Sequence, residues 1–214
     1  MIKRLGGLSA VCAGVLCLAV WCAAADFSAD TVTKMPGMAM AGKVFRQGSN
    51  MRQEITMGPM KHIIILRPDK KATWMVDPKA KTYTEMPYNP KMSDISMLRN
   101  EAELKKLAVK KNLGTEKVNG FVCDKFRLTY KNKMMGTSTV WLSKQLDWPI
   151  KTESNTARGT VATESKNIKM GRQASSLFEI PKGYKKVAMS GMPGMHGKPG
   201  GPGPHTKVAP KKPK

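Results

Sequence analysis

Methionine and histidine are the residues whose chemistry and spacing stand out in this chain. The segment "MSGMPGMH" sets Met189, Met192 and Met195 at three-residue intervals and follows them with His196. "TMGPMKH" brings Met57, Met60 and His62 together, and "KMPGMAM" at Lys34 to Met40 is a shorter echo. Thioether sulfur is a soft ligand suited to Cu(I), and imidazole joins it readily. A soft-metal site on Met189, Met192, Met195 and His196 is therefore one chemistry on offer. Against it, methionines run through every segment, Met75, Met86, Met97 and Met170 among them. That spread fits core and cavity packing by a flexible apolar side chain. Proline and glycine between the late methionines also raise the entropy cost of gathering them. The expectation is a chain without metal or cofactor, with copper binding as the alternative.

Catalytic constellations are thin. The histidines are His62, His196 and His205, and two of these lie near the end of the chain. Cys123 falls in a strand-like segment with no histidine placed to activate it, so it reads as a small buried hydrophobe. Glu85, Glu153 and Glu164 are scattered without the spacing of paired acid–base work. Gly42, Gly48 and Gly58 punctuate strands and form no phosphate-cradling loop. The residues argue for a non-enzyme.

Stepping outward, the first residues set the compartment. Lys3 and Arg4 precede an uncharged apolar run, Leu8 to Trp21, and Ala23 to Ala25 supply small residues before Asp26. That is the pattern of a secretory signal peptide over residues 1–25, cleaved after Ala25. The run falls short of the roughly 20 residues of a spanning helix, and nothing later is apolar enough to span. Trp21 before Cys22 excludes the small residue a lipid-modified cysteine needs. Of four cysteines, Cys12, Cys17 and Cys22 leave with the signal, and Cys123 alone remains, so no internal disulfide forms. The expected location is periplasmic or secreted.

Charge then limits the partners. The chain has 37 basic and 15 acidic residues, a net +22, and Lys182 to Lys214 carries lysines and no acid. In an exported protein such charge suits anionic envelope surfaces and not nucleic acid. Residues 188–214 are rich in Gly, Pro, Met and Lys and cannot build a core, which reads as a disordered basic tail. Residues 26–187 are the expected folded domain, a monomer.

Within that domain the elements are mostly strands. "NMRQEITM" alternates, with Met51, Gln53, Ile55 and Met57 on one face and Arg52, Glu54 and Thr56 on the other. "KHIIILR" is a continuous apolar run, as in a strand covered on both faces. Asp77-Pro78 opens a type I turn between "ATWMVD" and "KTYTEM". Asn119-Gly120 marks the clearest hairpin, and in its second strand Val122, Phe126, Leu128 and Tyr130 share a face. "NPKMSDISMLRNEAELKKLA" breaks the pattern and predicts one or two helices, capped by Ser93 or Asp94, with Ile95, Leu98 and Ala102 on one side. The sum is mainly β with a helical insert: about ten or eleven strands in a curved antiparallel sheet that must curl or be covered.

The ordered series "DFSAD", "AGKVFRQGSNMRQEI", "IIILRPDKKATWMVDPKAKTY", "VNGFVCDKFRLTY", "VWLSKQLDWPIKTES" and "LFEIPKGYKKV" resembles an exported bacterial family of the periplasmic lipoprotein-carrier type, the LolA/LolB-like superfamily. The resemblance implies an incomplete β-barrel whose concave face is closed by helices around an apolar cavity for acyl chains. Candidate lining residues are Ile55, Ile64, Trp74, Phe126, Leu128, Tyr130 and Trp141. The carriers also rely on an arginine contact to the lid; Arg46, Arg52 and Arg67 stand in strand-like segments, and the choice among them stays open. The function expected is a binding or carrier protein for a lipid or other amphiphile. A copper-binding envelope protein and an envelope sensor that binds a protein partner are the alternatives.

Overall fold

The computed structural model describes residues 25–90, 98 and 100–188. Among these, twelve strands form a single sheet in the order β12-β6-β5-β4-β3-β2-β1-β11-β10-β9-β8-β7. In chain order they are β1 (Phe27–Met35), β2 (Met38–Gln47), β3 (Asn50–Met57), β4 (Met60–Arg67), β5 (Ala72–Asp77) and β6 (Thr82–Pro87). After a helix, α1 (Glu101–Leu107), come β7 (Ala108–Val118), β8 (Phe121–Tyr130), β9 (Thr137–Ser143), β10 (Trp148–Thr156), β11 (Gly159–Met170) and β12 (Lys185–Lys186). Every pairing is antiparallel except that of β12 with β6. The sheet is large, open and curved, and it does not close into a barrel. The strand count exceeds the ten or eleven expected, partly because two-residue β12 offers no alternation to read.

Turn chemistry follows the sequence. Asn119 and Gly120 both take positive φ, 48° and 89°, as a two-residue type I′ hairpin turn requires. Asp77 Oδ1 accepts from the backbone N–H of Lys79 and Ala80, closing the β5–β6 turn. Gly42 answers a different need. A Cβ there would collide with the backbone carbonyl of Glu54 and sit 2.7 Å from Thr31 Oγ1, so only glycine lets β1, β2 and β3 bend together.

Apolar residues collect in three clusters. Phe27, Ala29, Val44, Met51, Leu146, Trp148 and Ile150 join β1, β2 and β3 to β10 and the loop before it, with Phe27 edge-on to the Trp148 ring. A second cluster joins Leu104 of α1 and Ala108 to Phe126, Leu128 and Val140, with Leu98 and Tyr130 beside it. The helix is capped by Asn100, whose side chain accepts from Glu103 N–H, and its buried contact is Leu104. Ala102, expected on the covered side, is exposed. Ser93, Asp94 and Ile95 lie outside the described residues. Cys123 rather than Val122 is buried in β8: Val122 is 67% exposed at the far end of its strand, beyond the reach of the helix.

The third cluster occupies the opposite, convex face. Ile63, Ile65, Ala72, Trp74 and Val76 there receive Phe178 from the segment after β11. Arg52 donates to Leu177 O and Arg67 to Phe178 O, so two strand arginines pin this strap by its backbone. Arg67 also grips Asp69 with two hydrogen bonds and pairs with Glu179, which Lys70 meets as well. Asp69 sits at about 2, well below the usual carboxylate value, chiefly through its hydrogen bond from Arg67. The strap ends as β12, hydrogen-bonded to β6 through Lys185 N–H to Lys81 O and Val187 N–H to Tyr83 O. Arg46 is used differently: it donates to Leu146 O and Asp147 O and holds the β9–β10 loop. All three arginines thus clamp backbone carbonyls of the fold. Among the described residues no helix is long and apolar enough to cross a membrane.

Candidate functional site: a two-walled cavity on the concave face

Alternation decides what faces the hollow of the sheet. Gln53 pairs with Ile64 and Ile64 with Met75; Met51 pairs with Leu66, Leu66 with Thr73, and Thr73 with Met86. Directly paired residues project to the same side, so β3 to β6 present Met51, Ile64, Leu66, Met75 and Met86 to one surface. In β4 the neighbours Ile63 and Ile65 point the other way, into the strap's cluster. The run "IIIL" is covered on both faces for that reason.

On that surface lies a cavity of about 640 Å³, within the roughly 300–1,000 Å³ of small-molecule sites. Its two sides differ in chemistry. One wall, from β3 to β5, is mainly apolar, with Ile55, Ile64, Leu66 and Met75 interrupted by Gln53 and Thr73. The other, from β1, β10 and β11, is a field of hydroxyls: Thr31, Thr33, Thr152, Ser154, Thr163 and Ser165. Val44, Met51 and Trp148 belong both to the lining and to the first core cluster, and so form the floor. Asn89 and Leu98, which precede α1 in the chain, also line it.

The hydroxyls are partly paired with one another. Thr33 and Thr163 share a 2.9 Å hydrogen bond, and Ser138 and Ser154 one of 2.6 Å. Trp148 Nε1 donates to Ser165 Oγ. Each such oxygen keeps a second lone pair for a guest. The charged residues of the lining, Lys43 and Glu54, are paired. Lys43 pairs with Asp30, and Glu54 with Arg52 and Lys61. Burial alone would raise the Glu54 carboxyl, but the Lys61 and Arg52 hydrogen bonds outweigh it and hold the carboxyl below its ordinary value.

Of the residues singled out in the sequence, Ile55, Ile64 and Tyr130 line this cavity. Phe126 and Leu128 do not; both are buried beneath α1. Trp74 lies on the convex face with Arg67 and Lys70 over its ring, and its indole N–H donates to Glu85. Trp141 carries Lys125 and Lys151 against its ring and donates to Glu116. Neither tryptophan is among the residues that line this cavity: their polar N–H and cation-facing rings find partners outside it. The hydroxyl wall was missed, although Thr and Ser at every second position of "DTVT", "KTES" and "VATES" were there to be read. Met189, Met192, Met195 and His196 lie outside the described residues. Among the described residues, no three His, Cys, Asp or Glu side chains gather as a metal site. Cys123 is fully buried, and burial pushes its thiol up.

An open antiparallel sheet curved around an amphipathic hollow, with a helix at one end and a strap behind, defines the class. The chain belongs to the family described as a domain of unknown function, DUF4412, whose profile matches residues 27–148. No curated protein matches the sequence at a significant level. Among solved structures it is similar to a conserved protein from Thermus thermophilus, with a TM-score of 0.57 and 10% identity, covering 78% of this chain and 92% of that one. It is also similar to MucB of Pseudomonas aeruginosa, solved in complex with MucA: TM-score 0.52, 11% identity, 74% of this chain and 56% of that one. A LolA superfamily protein from Nitrosomonas europaea superposes at a TM-score of 0.34, with 11% identity over 73% of this chain and 90% of its own. The first two share the fold.

Proposed function

We propose that this is an exported, non-enzymatic protein that binds an amphiphile, with the apolar part against Ile55, Ile64, Leu66 and Met75 and the polar part on the facing hydroxyls. The observation that carries the reading is the division of one cavity into an apolar and a hydroxyl wall. A purely apolar hollow would suit a hydrocarbon, and a purely polar one a sugar; this one suits a molecule that is both. Burial stabilises by about 0.8 kcal/mol per methylene, so about ten methylenes supply the roughly 8 kcal/mol of a micromolar complex. Costs of association raise that requirement, and the hydroxyl contacts help to meet it. The leader-like residues 1–25 support a periplasmic or secreted location. The lysine-rich residues after Val187 support attraction to anionic envelope surfaces.

The test is lipid extraction and mass spectrometry of the protein purified from its own host, with titration by a neutral naphthylamine probe. A co-purifying amphiphile and micromolar probe binding, displaced by that amphiphile, are expected. An empty protein that also fails to bind the probe refutes the reading. A second reading, recognition of a protein segment, draws on MucB, a neighbour sharing the fold that is solved with MucA bound. In this chain β7 is a sheet edge whose residues 109–117 are all exposed, a geometry that accepts an added strand. A partner that cross-links to β7 and leaves probe binding unchanged would favour it.

A further inference from the structure

The methionines of the first four strands are not scattered once the register is known. Met35 pairs with Met38 across the β1–β2 hairpin, and Met57 with Met60 across the β3–β4 hairpin. Both tips have the same build, a methionine pair flanking proline and glycine: Met35-Pro36-Gly37-Met38 and Met57-Gly58-Pro59-Met60. Gly37 and Gly58 take positive φ, 73° and 56°, which keeps each turn tight and each pair in register.

The two tips are neighbours. The β2–β3 ladder ends at Ala41 paired with Thr56, and Met40 and Met57 are the next residues on their strands beyond it. Thr33 pairs with Met40 on one side and Met57 with Met60 on the other, which brings the two methionine pairs to the same edge of β1 to β4. Ile55 pairs with His62 in the next row inward. Ile55 lines the cavity, and residues two apart on a strand share a face. Met40, Met57, Met60 and His62 therefore all project from the concave face at its rim. Paired side chains in a sheet have Cβ atoms about 4.5–5.5 Å apart, and a flexible thioether spans such gaps.

Core packing accounts for this group only in part. Met60 is 52% exposed and His62 is exposed, while Met40 and Met57 are half-buried; none of the four belongs to a core cluster. The donors are also uncharged, in a chain of net charge +22. Of the lysines on these strands, Lys61 and Lys43 are paired with Glu54 and Asp30, and Lys34, by its register opposite Ala39, alternates to the face away from Met35. A neutral thioether and imidazole set binds a soft monovalent ion and gives a hard divalent one no anionic ligand.

We infer that Met40, Met57, Met60 and His62 form a Cu(I) site on the rim of the cavity, with Met35 and Met38 as flanking sulfurs. The site is independent of the late methionines, where the pattern Met-Pro-Gly-Met recurs at Met192 to Met195. The test uses the whole exported chain, titrated anaerobically with Cu(I) against the chromophoric chelator bicinchoninate. Three variants are compared with wild type: Met57→Leu/Met60→Leu, His62→Gln, and Met189→Leu/Met192→Leu/Met195→Leu. Leucine keeps size and apolarity at exposed tips, and circular dichroism confirms that each variant is folded. Wild type should withdraw one Cu(I) from the chelator. The rim double variant should lose at least tenfold in affinity and His62→Gln a smaller factor, while the late triple variant retains that ion. Wild-type-like affinity in the rim variant overturns the site. So does loss confined to the late triple variant, or no uptake by wild type.

Discussion

Replacing Arg67 by Met tests whether the convex strap is held by one buried fork. The side chain is 8% exposed and makes three kinds of contact: Phe178 O, the Asp69 carboxylate and Glu179. Met keeps the apolar stem and removes the fork. The largest loss is the buried carbonyl of Phe178, left without its donor, at about 1–3 kcal/mol. Asp69 and Glu179 are 47% and 46% exposed, so solvent screening limits each ion pair to about 1 kcal/mol or less. The sum is about 1–5 kcal/mol, a large share of the roughly 5–15 kcal/mol that holds a domain. With an m-value of about 2 kcal/mol/M, the urea midpoint should fall by about 0.5–2.5 M. Tryptophan fluorescence reads it directly, because Trp74 lies under this corner. Lys70→Met is the control: its contact with Glu179 is exposed and should cost no more than about 0.5 kcal/mol. The pH dependence follows from the acids. Asp69 is held at about 2 by Arg67, while partial desolvation would raise Glu179 but hydrogen bonds from Lys70 and Arg67 lower it. Depressed carboxylates stabilise the fold above their ordinary values near 4 and lose that contribution as pH falls towards 2. Wild type should therefore lose stability between about pH 5 and 2 more steeply than Arg67→Met. A midpoint shift in Arg67→Met no larger than in Lys70→Met refutes the reasoning.

Three further outcomes are expected. Gly42→Ala should lower stability by about 1–3 kcal/mol in urea, because its Cβ meets the Glu54 carbonyl and Thr31 Oγ1; an unchanged midpoint would show that β1 to β3 do not approach so closely. Ile64→Gln should weaken naphthylamine binding about tenfold, the equivalent of about 1.4 kcal/mol, whereas Thr56→Gln on the convex side leaves it unchanged; equal effects would remove the apolar wall from the binding argument. Cys123, buried and with its thiol pushed up, should react with a thiol reagent at pH 8 only as fast as the sheet opens. Prompt stoichiometric labelling of the native protein would contradict its placement.

Alternation made the strands legible, and turn residues made the hairpins legible. Asn119-Gly120 and Asp77-Pro78 sit where their backbone preferences place them. What one sequence does not encode is which of two apolar faces is the hollow one. Trp74 and Ile64 are both large and both in strands, yet Trp74 pairs with Ile65 and faces the strap, while Ile64 faces the cavity. That difference depends on Phe178 arriving from a segment distant along the chain. Trp141 was misjudged for a related reason, since its partners Lys125 and Lys151 come from neighbouring strands on either side. The three arginines illustrate the same limit: charge and position were visible, but their targets are backbone carbonyls, which carry no mark in sequence. Asn100 caps the helix Glu101–Leu107, a cap the sequence reading did not single out, while Ser93 and Asp94 lie outside the described residues.

A curved sheet of this size ordinarily buries one face and leaves the other to water. Here the convex side of β2 to β6 is buried by the strap, with Phe178 as the wedge and Arg52 and Arg67 as its pins. That cluster stabilises half of the sheet without using the concave face. At the other half, α1 packs on Phe126, Leu128 and Val140, and the remaining cluster joins β1 to β3 with β8 to β10. Among the described residues, the middle of the concave face is thus left without a covering element. Lining one side of it with threonine and serine has a second effect: hydroxyls gain little by collapsing onto Ile and Met, so the hollow does not close on itself. An apolar wall left facing such a hollow is costly in water, and a guest with an apolar part relieves that cost. The strap is therefore as much a part of the proposed binding function as the cavity, because it lets the fold be stable while the hollow stays open.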